Sequence, residues 1–418
     1  MPPEPPTPMP PSDDGRSAME YLAQYGLVPH IPTIRSSDFH TGLSDPFRYY
    51  LTRRLGLIPR LSWSKALSRG SWAHKAFQLD DWGTPLSEDH RTAFLKSVRA
   101  RLDEIREIAP YAGLTPSSTA EWLTREARDA DTAYSWYAVH RTIAPRAPSH
   151  PSFATLFSSG EVISREATYY TTTKVNNRYA VHSVIQPDLL WLDPRGRLWI
   201  VDLKTTSDSP LVRLSTCPLE FQARHYAHVI ADLQDNFPDR LPEPARKADL
   251  AGVMHIAVQK PTIEFCSKDR DYTEKTRTIT RGARKGETVV EREYTGEPRW
   301  ENYLSRCREW LTATGEYTAN AKERDADPAV NFSFVGSSLL FSRQAKADYQ
   351  RDLSILHSLA TRPAHPEFFP KNPRGAVDLG KPTLYAPFYL NPVVDWPGIV
   401  ESLSLMQAFR DEDLSTPA

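Results

Sequence analysis

Residues 185–206, IQPDLLWLDPRGRLWIVDLKTT, contain three aspartates, of which Asp188 and Asp202 could do chemistry together with Lys204. Apolar runs on both sides of a turn at 194–196 predict a β-hairpin, with Asp188 beginning its first strand and Asp202 near the end of its second. The two strand ends can therefore converge. Side chains alternate along a strand, so Asp202 and Lys204 project from the same face. Such a charged cluster is costly to bury unless a partner compensates it.

A hard divalent cation would supply that compensation. Mg²⁺ prefers one or two carboxylates, retained waters and phosphate oxygens. The residues therefore predict a site for Mg²⁺ or Mn²⁺ held by Asp188 and Asp202, to which the Leu203 carbonyl can add a ligand. A bound metal lowers the pKa of its water and stabilises charge on a phosphoryl group. Lys204 can position or deprotonate the attacking water, or stabilise the developing negative charge.

The motifs Pro187-Asp188 and Asp202-Leu203-Lys204 resemble the signature of the PD-(D/E)XK nuclease superfamily. Downstream, Gln222 and Tyr226 lie four residues apart in a predicted helix, and such a pair shares one helical face. This spacing is similar to the Q-x-x-x-Y motif of the RecB-like branch. The resemblance implies that Gln222 and Tyr226 belong to the catalytic set and orient the phosphate or Lys204. A helix face that only packs in the core is the alternative.

Two upstream residues extend the resemblance. His74 ends the segment Gly70-Ser71-Trp72-Ala73-His74, which resembles the G-x-x-x-H segment of the same branch. The resemblance implies that His74 reaches the metal. It also implies an additional acidic ligand on the strand before Asp188, for which Glu166 is the first choice and Glu161 the competing one. A structural histidine and a solvent-facing glutamate are the alternatives.

Basic residues cluster in two other segments. Residues 46–69 contain six basic side chains and no acidic one, and residues 275–286 contain five and none. Such clusters are typical of surfaces that contact phosphates. An amphipathic helix pair and a solvated surface hairpin are the respective alternatives. The candidate nucleic-acid-binding residues are Arg48, Arg53, Arg54, Lys65, Arg69, Arg281, Arg284 and Lys285.

The remaining elements predict the fold. Apolar periodicity predicts helices at 88–109, 118–140, 218–234, 298–314 and 340–360, and strands at 162–171, 178–184, 187–193, 197–203 and 252–258. This order favours an α/β (α+β) fold with a mixed central β-sheet flanked by helices. The resemblance implies a restriction-endonuclease-like core with an N-terminal helical block and a C-terminal extension.

The same pattern suggests how the chain is divided. Residues 1–16 hold seven of the 36 prolines and are predicted to be a disordered tail. The nuclease domain is placed at 36–320, and residues 321–418 are predicted to be an extension packed on it. Within that domain we expect a helical block at about 46–145, a catalytic sheet at about 160–260 and a hairpin insertion at about 262–298.

Composition limits the other classes of function. The chain has 418 residues and a net charge of -1, which excludes a polybasic coat but not a local basic groove. No run reaches the roughly 18 apolar residues of a membrane helix, and no secretory signal is visible, so the cytoplasm is the expected compartment. Three cysteines are too few for an iron–sulfur cluster. No phosphate-binding G-x-x-x-x-G-K-[ST] loop is present, so no nucleotide cofactor is expected.

The resemblance implies a divalent-metal-dependent DNA nuclease, an exonuclease rather than an endonuclease, acting in DNA recombination, repair or phage replication. DNA is the expected partner, and a single-strand annealing protein or a helicase is a candidate second one. Two alternatives remain: a catalytically silent nucleic-acid-binding or scaffold protein on a nuclease fold, and a non-nuclease protein with a surface salt-bridge network. The sequence leaves open the cleavage polarity, the strand preference, the number of metals and the oligomeric state.

Overall fold

The computed structural model describes residues 18–407 with gaps. Its description omits residues 1–17, 26, 28, 60–64, 83–85, 111–113, 142–151, 176–178, 208, 218–219, 262, 264, 282–285, 313–329, 363–365, 367–368, 370, 372–376, 379–380, 392, 404 and 408–418. The predicted tail at 1–16 and the candidate residues Arg284 and Lys285 lie outside the described residues.

The first part of the chain is helical. Its helices are α1 (Ala18–Ala23), α2 (Ser36–Ser44), α3 (Pro46–Tyr49), α4 (Lys65–Leu79), α5 (Glu88–Ile108), α6 (Pro116–His140) and α7 (Phe153–Ser158). A π-helical turn at Tyr50–Arg54 continues α3 and leads into a short strand, β1 (Leu57–Pro59). The amphipathic helix pair, which was the alternative interpretation of residues 46–69, is therefore interrupted, because Gly56 takes a φ of 59° and turns the chain out of the helix.

A five-stranded mixed sheet forms the centre of the molecule and confirms the predicted fold class. Its strands are β2 (Glu161–Arg165), β5 (Leu189–Leu192), β6 (Leu198–Thr206), β7 (Leu250–Gln259) and β10 (Val330–Gly336), in the spatial order β10-β7-β6-β5-β2. Strands β6 and β7 are parallel, and the other neighbours are antiparallel. The connection from β6 to β7 carries α8 (Pro210–Thr216) and α9 (Phe221–Asn236).

Two further pairs of strands form separate two-stranded sheets. Strands β3 (Tyr169–Val175) and β4 (Tyr179–Ile185) form one of them, and β8 (Asp271–Thr278) and β9 (Thr288–Thr295) form the other. The second pair occupies the segment for which a hairpin insertion was expected.

Side-chain alternation places a helical layer on each face of the central sheet. Val201 and Leu203 pack with Phe77 of α4 in one buried cluster. Ile200 packs with Ile230 of α9 in another, on the opposite face. Because side chains two apart share a face, Asp202 and Lys204 continue the row that faces α9.

The C-terminal part completes the core. It contains α10 (Trp300–Thr312), α11 (Ser337–Leu340), α12 (Arg343–Thr361), β11 (Val377–Asp378), β12 (Lys381–Pro382), α13 (Ala386–Leu390), α14 (Trp396–Ser402) and β13 (Leu405–Gln407). Short 3-10 helices lie at Pro238–Arg240, Glu243–Ala245, Ser267–Asp269 and Val393–Asp395. Trp396 and Leu356 pack with Phe47 of α3, and β13 pairs with β1. Among the helices described, none combines the length and the hydropathy that crossing a membrane requires.

A cluster of buried charged and polar side chains around Asp80 fixes the end of α4. Asp80 is fully buried, and its carboxylate accepts hydrogen bonds from Arg141 Nε at 2.7 Å and from the Tyr137 hydroxyl at 2.6 Å. Arg165, at the end of β2, donates to the Gln78 carbonyl at 2.9 Å. These contacts tie α4, α6 and β2 together.

Replacing Asp80 with alanine is expected to lower the free energy of unfolding by about 3–5 kcal/mol, because the buried guanidinium of Arg141 loses the carboxylate that pairs with it. Urea denaturation measures the loss. Asp239→Ala is the matched control, since that carboxylate is 94% exposed and lies 3.4 Å from Arg246. The exposed pair should contribute little. Equal, small losses for the two variants would contradict the role of the cluster.

Two histidines join α9 to α12. The His228 ring stacks on the Tyr349 ring at a centroid distance of 4.2 Å, and His225 Nδ1 lies 3.1 Å from the Tyr349 hydroxyl. Burial lowers the pKa of His225 to about 3 and that of His228 to about 4, from the ordinary 6.5. The unfolded chain therefore binds more protons than the folded chain below pH 6.5.

It follows that the free energy of unfolding should decrease as the pH falls from about 7 to about 5, where most carboxylates stay ionised in both states. Denaturation across this interval measures the slope. In the variant His228→Gln one of these two imidazoles of lowered pKa is gone, so the slope of the free energy of unfolding against pH should become shallower. An identical slope in the variant would contradict the assignment to His228.

Candidate functional site

Asp188 lies directly before β5 and is 8% exposed. Its Oδ2 accepts a hydrogen bond from the backbone N–H of Leu203 at 2.6 Å, and its Oδ1 lies 3.0 Å from Nδ1 of His74. In a strand, the N–H and the carbonyl of one residue point to the same side. The Leu203 carbonyl therefore also faces the side of β6 on which Asp188 lies.

Asp202 lies on β6 and is 4% exposed. Its Oδ2 is 2.9 Å from Lys204 Nζ and 2.9 Å from His255 Nδ1. Burial raises the pKa of Asp202, but the Lys204 charge and the His255 hydrogen bond outweigh it and hold that pKa well below its usual range. Burial lowers the pKa of Lys204, and the Asp202 charge outweighs it in turn, so the Lys204 pKa lies above its usual value. The pair is ionised.

Helix α9 brings Gln222 and Tyr226 to this pair. Gln222 Nε2 donates to Asp202 Oδ1 at 3.1 Å and to the Tyr226 hydroxyl at 3.0 Å. Gln222 Oε1 accepts a hydrogen bond from Lys204 Nζ. The Tyr226 hydroxyl donates to the Gln186 carbonyl at 3.0 Å. One amide therefore holds both the carboxylate and the ammonium of the ion pair, and Tyr226 fixes the position of that amide.

His74 reaches Asp188 from α4, on the other side of the sheet. The helix approaches β6 closely at Gly70, where a Cβ atom would lie 3.0 Å from Thr205 Oγ1. One turn later the His74 ring meets the Asp188 carboxylate. Burial lowers the pKa of His74, but the charge of Asp188 and its hydrogen bond outweigh this effect and raise the pKa.

Glu166 lies in the connection between β2 and β3 rather than inside a strand. The strand predicted at 162–171 divides after Arg165, because Glu166 takes a φ of +43°, a left-handed conformation that a strand does not contain. Its N–H donates to the Asp188 carbonyl at 3.0 Å. Burial, and then the charge of Asp188, raise the pKa of Glu166. Glu161 is exposed at the far end of β2, opposite Leu192, so the structure brings Glu166 and not Glu161 to the site.

An open cleft of about 610 Å³ is lined by two of the site residues, His74 and Glu166, whereas Asp188, Asp202 and Lys204 are not among its lining residues. Its walls come from one face of α4, from Glu166 and from the ends of β6 and β7. The lining residues are Gly70, Ser71, His74, Lys75, Gln78, Glu166, Thr205 and Lys260.

Sequence reasoning missed His255. It is fully buried in β7 and lies directly beside Asp202 in the parallel register. The only local signal is a histidine inside the apolar run GVMHIAV at 252–258. The link to Asp202 becomes visible only through the pairing of β6 with β7.

The basic segment at 46–69 does not form the predicted phosphate-contacting surface with Arg53, Arg54 and Arg69. Arg53 pairs with Asp38 at 2.8 Å, and Arg69 pairs with Asp129 at 2.8 Å. Arg54 is buried and donates to the Ala360 carbonyl. These three guanidinium groups bind acceptors of the protein itself. Their assignment to nucleic-acid binding is therefore corrected, and their role is structural.

The other candidate basic residues differ in their placement. The half-buried Arg48 lies over the Tyr385 ring at 5.7 Å. Arg281 is exposed in the connection between β8 and β9. Lys65 begins α4, and its side chain is not described. Neither Arg48 nor Arg281 is among the residues that line the cleft.

The donor set suits a hard cation. An ionised carboxylate has about four acceptor sites. The hydrogen bonds above occupy one site on each oxygen of Asp188 and one on Oδ1 of Asp202, so all three atoms retain capacity. Within the part of the chain that the structure describes, no three His, Cys, Asp or Glu side chains form a ready-made metal cage. Mg²⁺ does not need one, because it keeps several waters and binds through one or two carboxylates and substrate phosphates.

The family model of the PD-(D/E)XK nuclease superfamily matches residues 36–329. The matched range contains every residue of the site described above and ends one residue before β10. None of the curated proteins compared with the chain matches it.

If Asp188 holds a divalent ion, Asp188→Asn should weaken Mn²⁺ binding at least about tenfold, the smallest loss typical for an outer partner of a metal ligand. Isothermal titration calorimetry measures the affinity. Asp193→Asn is the control: this buried aspartate lies at the opposite end of the same hairpin and accepts from the Arg195 and Arg197 N–H groups. Unchanged Mn²⁺ affinity in Asp188→Asn would rule Asp188 out as a ligand.

Proposed function

Because the chain belongs to the PD-(D/E)XK nuclease superfamily, we propose that it is a divalent-metal-dependent deoxyribonuclease that hydrolyses phosphodiester bonds in DNA. The observation that carries the proposal is the convergence of Asp188, Asp202 and Lys204 at one edge of the sheet. Each of the three is held by hydrogen bonds to a second element. A set of charges fixed in this way is preorganised for charge that develops on a phosphate.

Asp188 and Asp202 would hold Mg²⁺ or Mn²⁺, with the Leu203 carbonyl as a further oxygen ligand. The ion, when bound, supplies a water of lowered pKa and neutralises charge on the phosphate oxygens. His74 orients the Asp188 carboxylate through the contact at 3.0 Å. Glu166 lines the cleft together with His74 and can accept a hydrogen bond from the attacking water.

Lys204 acts on the phosphate. Among its described contacts, two of its three N–H donors are used, one by Asp202 and one by Gln222. The third can donate to a non-bridging phosphate oxygen or to the attacking water. Gln222 keeps the ammonium in place, and Tyr226 keeps Gln222 in place. The attacking water loses a proton as it adds to phosphorus, the bond from phosphorus to the 3′-oxygen breaks, and the 3′-oxygen takes up a proton, which leaves a 5′-phosphate and a 3′-hydroxyl.

Two further lysines give the cleft a positive wall. Lys75 lies one residue after His74 on α4, and its Nζ donates to Gln78 Oε1 at 2.8 Å. Lys260 follows β7, and burial lowers its pKa. Both line the cleft with Ser71. Contacts of this kind to phosphates fix the position of a DNA strand without reading its sequence.

The finer proposal is an exonuclease of DNA recombination, repair or phage replication. It is supported by the similarity of His74, Gln222 and Tyr226 to motifs of the RecB-like branch and by their contacts with Asp188 and Asp202. On this proposal the partners are DNA and either a single-strand annealing protein or a helicase.

A digestion assay tests both levels of the proposal. Linear duplex, covalently closed circular and single-stranded DNA are incubated with Mg²⁺ or Mn²⁺, with and without EDTA. We expect the wild type to degrade linear DNA, and Lys204→Met to lose at least about 10²-fold in rate, as when one charge-stabilising donor is removed. Lys247→Met, a change at an exposed lysine before β7, should keep the wild-type rate.

Cleavage of circular DNA would overturn the exonuclease proposal and leave the nuclease proposal standing. DNA binding without cleavage under either metal would overturn the nuclease proposal and favour a catalytically silent binding protein.

A further inference from the structure

His255 is buried where an apolar residue would be expected. It lies in the middle of β7, has no exposed surface, and its neighbours along the strand are Met254 and Ile256. Its Nδ1 lies 2.9 Å from Asp202 Oδ2. Burying an imidazole costs free energy unless its nitrogens are paired, so the contact with Asp202 is the feature that distinguishes this position from the rest of the strand.

The direction of that hydrogen bond follows from its partner. An ionised carboxylate only accepts hydrogen bonds, so Nδ1 of His255 carries the proton and donates it. The other ring nitrogen, Nε2, is buried and has no hydrogen-bond partner among the described residues. Within the described part of the chain, the polar contact of this side chain is therefore the one with Asp202.

The hydrogen bond from His255 determines which oxygen of Asp202 remains available to bind an ion. Oδ2 accepts from both His255 and Lys204, which uses its two acceptor sites. Among the described residues, Oδ1 accepts from Gln222 alone, so it retains one site. His255 and Lys204 therefore hold Asp202 in one rotation, with Oδ1 as the oxygen that can bind an ion.

We propose that His255 is a positioning residue that orients the Asp202 carboxylate for the divalent ion. The inference rests on the proposed metal-dependent nuclease activity. Partners that hydrogen-bond to metal ligands fix ligand orientation, and their loss typically lowers metal affinity or activity about 10–100-fold.

Two substitutions separate positioning from packing. His255→Asn keeps an N–H donor near the place of Nδ1, whereas His255→Leu keeps the bulk and removes the donor. Val253→Ala is the matched control, since Val253 is also fully buried, lies on the same face of β7 and pairs with Ile200 rather than Asp202. Mn²⁺ affinity is measured by calorimetry, kcat and KM on linear duplex DNA, and folding by urea denaturation.

We expect His255→Leu to lose about 10–100-fold in Mn²⁺ affinity and to lose kcat with KM little changed. His255→Asn should recover most of both, and Val253→Ala should keep wild-type affinity and kcat. Wild-type Mn²⁺ affinity in His255→Leu, or no advantage of His255→Asn over a folded His255→Leu, would overturn the inference while the wild type still cleaves DNA. A wild type that neither binds Mn²⁺ nor cleaves DNA would overturn the proposed function itself.

Discussion

The carboxylates of Asp188 and Asp202 belong to buried residues, which have only 8% and 4% of their surface exposed. Burying a carboxylate is costly unless donors satisfy it, and the donors here come from four elements. Helix α4 supplies His74, β6 supplies the Leu203 amide and Lys204, and α9 and β7 contribute one side chain each. The site therefore requires the whole arrangement of layers around the sheet, and no single motif could form it.

The topology explains how so many donors meet. Parallel pairing of β6 with β7 sets His255 beside Asp202, and the crossover between those strands carries α9 across the same face. Helix α4 lies on the opposite face and meets Asp188 at the edge of the sheet. The Asp80 cluster ties α4 to α6 and β2. It therefore fixes the position of α4, and with it that of His74, although Asp80 lies outside the cleft.

Local patterns predicted much of this structure. The hairpin around 194–196, the helix at 218–234 and the helix at 88–109 all appear close to their expected bounds, because apolar periodicity and turn residues act over a few residues. Contacts between distant segments were not predictable in the same way. Arg69 finds its partner 60 residues later, at Asp129, so its burial could not be inferred from the basic run that contains it. His255 depends likewise on strand register, and Glu166 on a left-handed turn.

The joint binding of a divalent ion by Asp188 and Asp202 can be measured by anomalous scattering from crystals of the protein soaked in Mn²⁺. We expect a peak about 2.0–2.3 Å from a carboxylate oxygen of each aspartate, with the Leu203 carbonyl as a neighbour. A peak elsewhere, or none at this edge of the sheet in crystals that hold Mn²⁺ at another site, would contradict it.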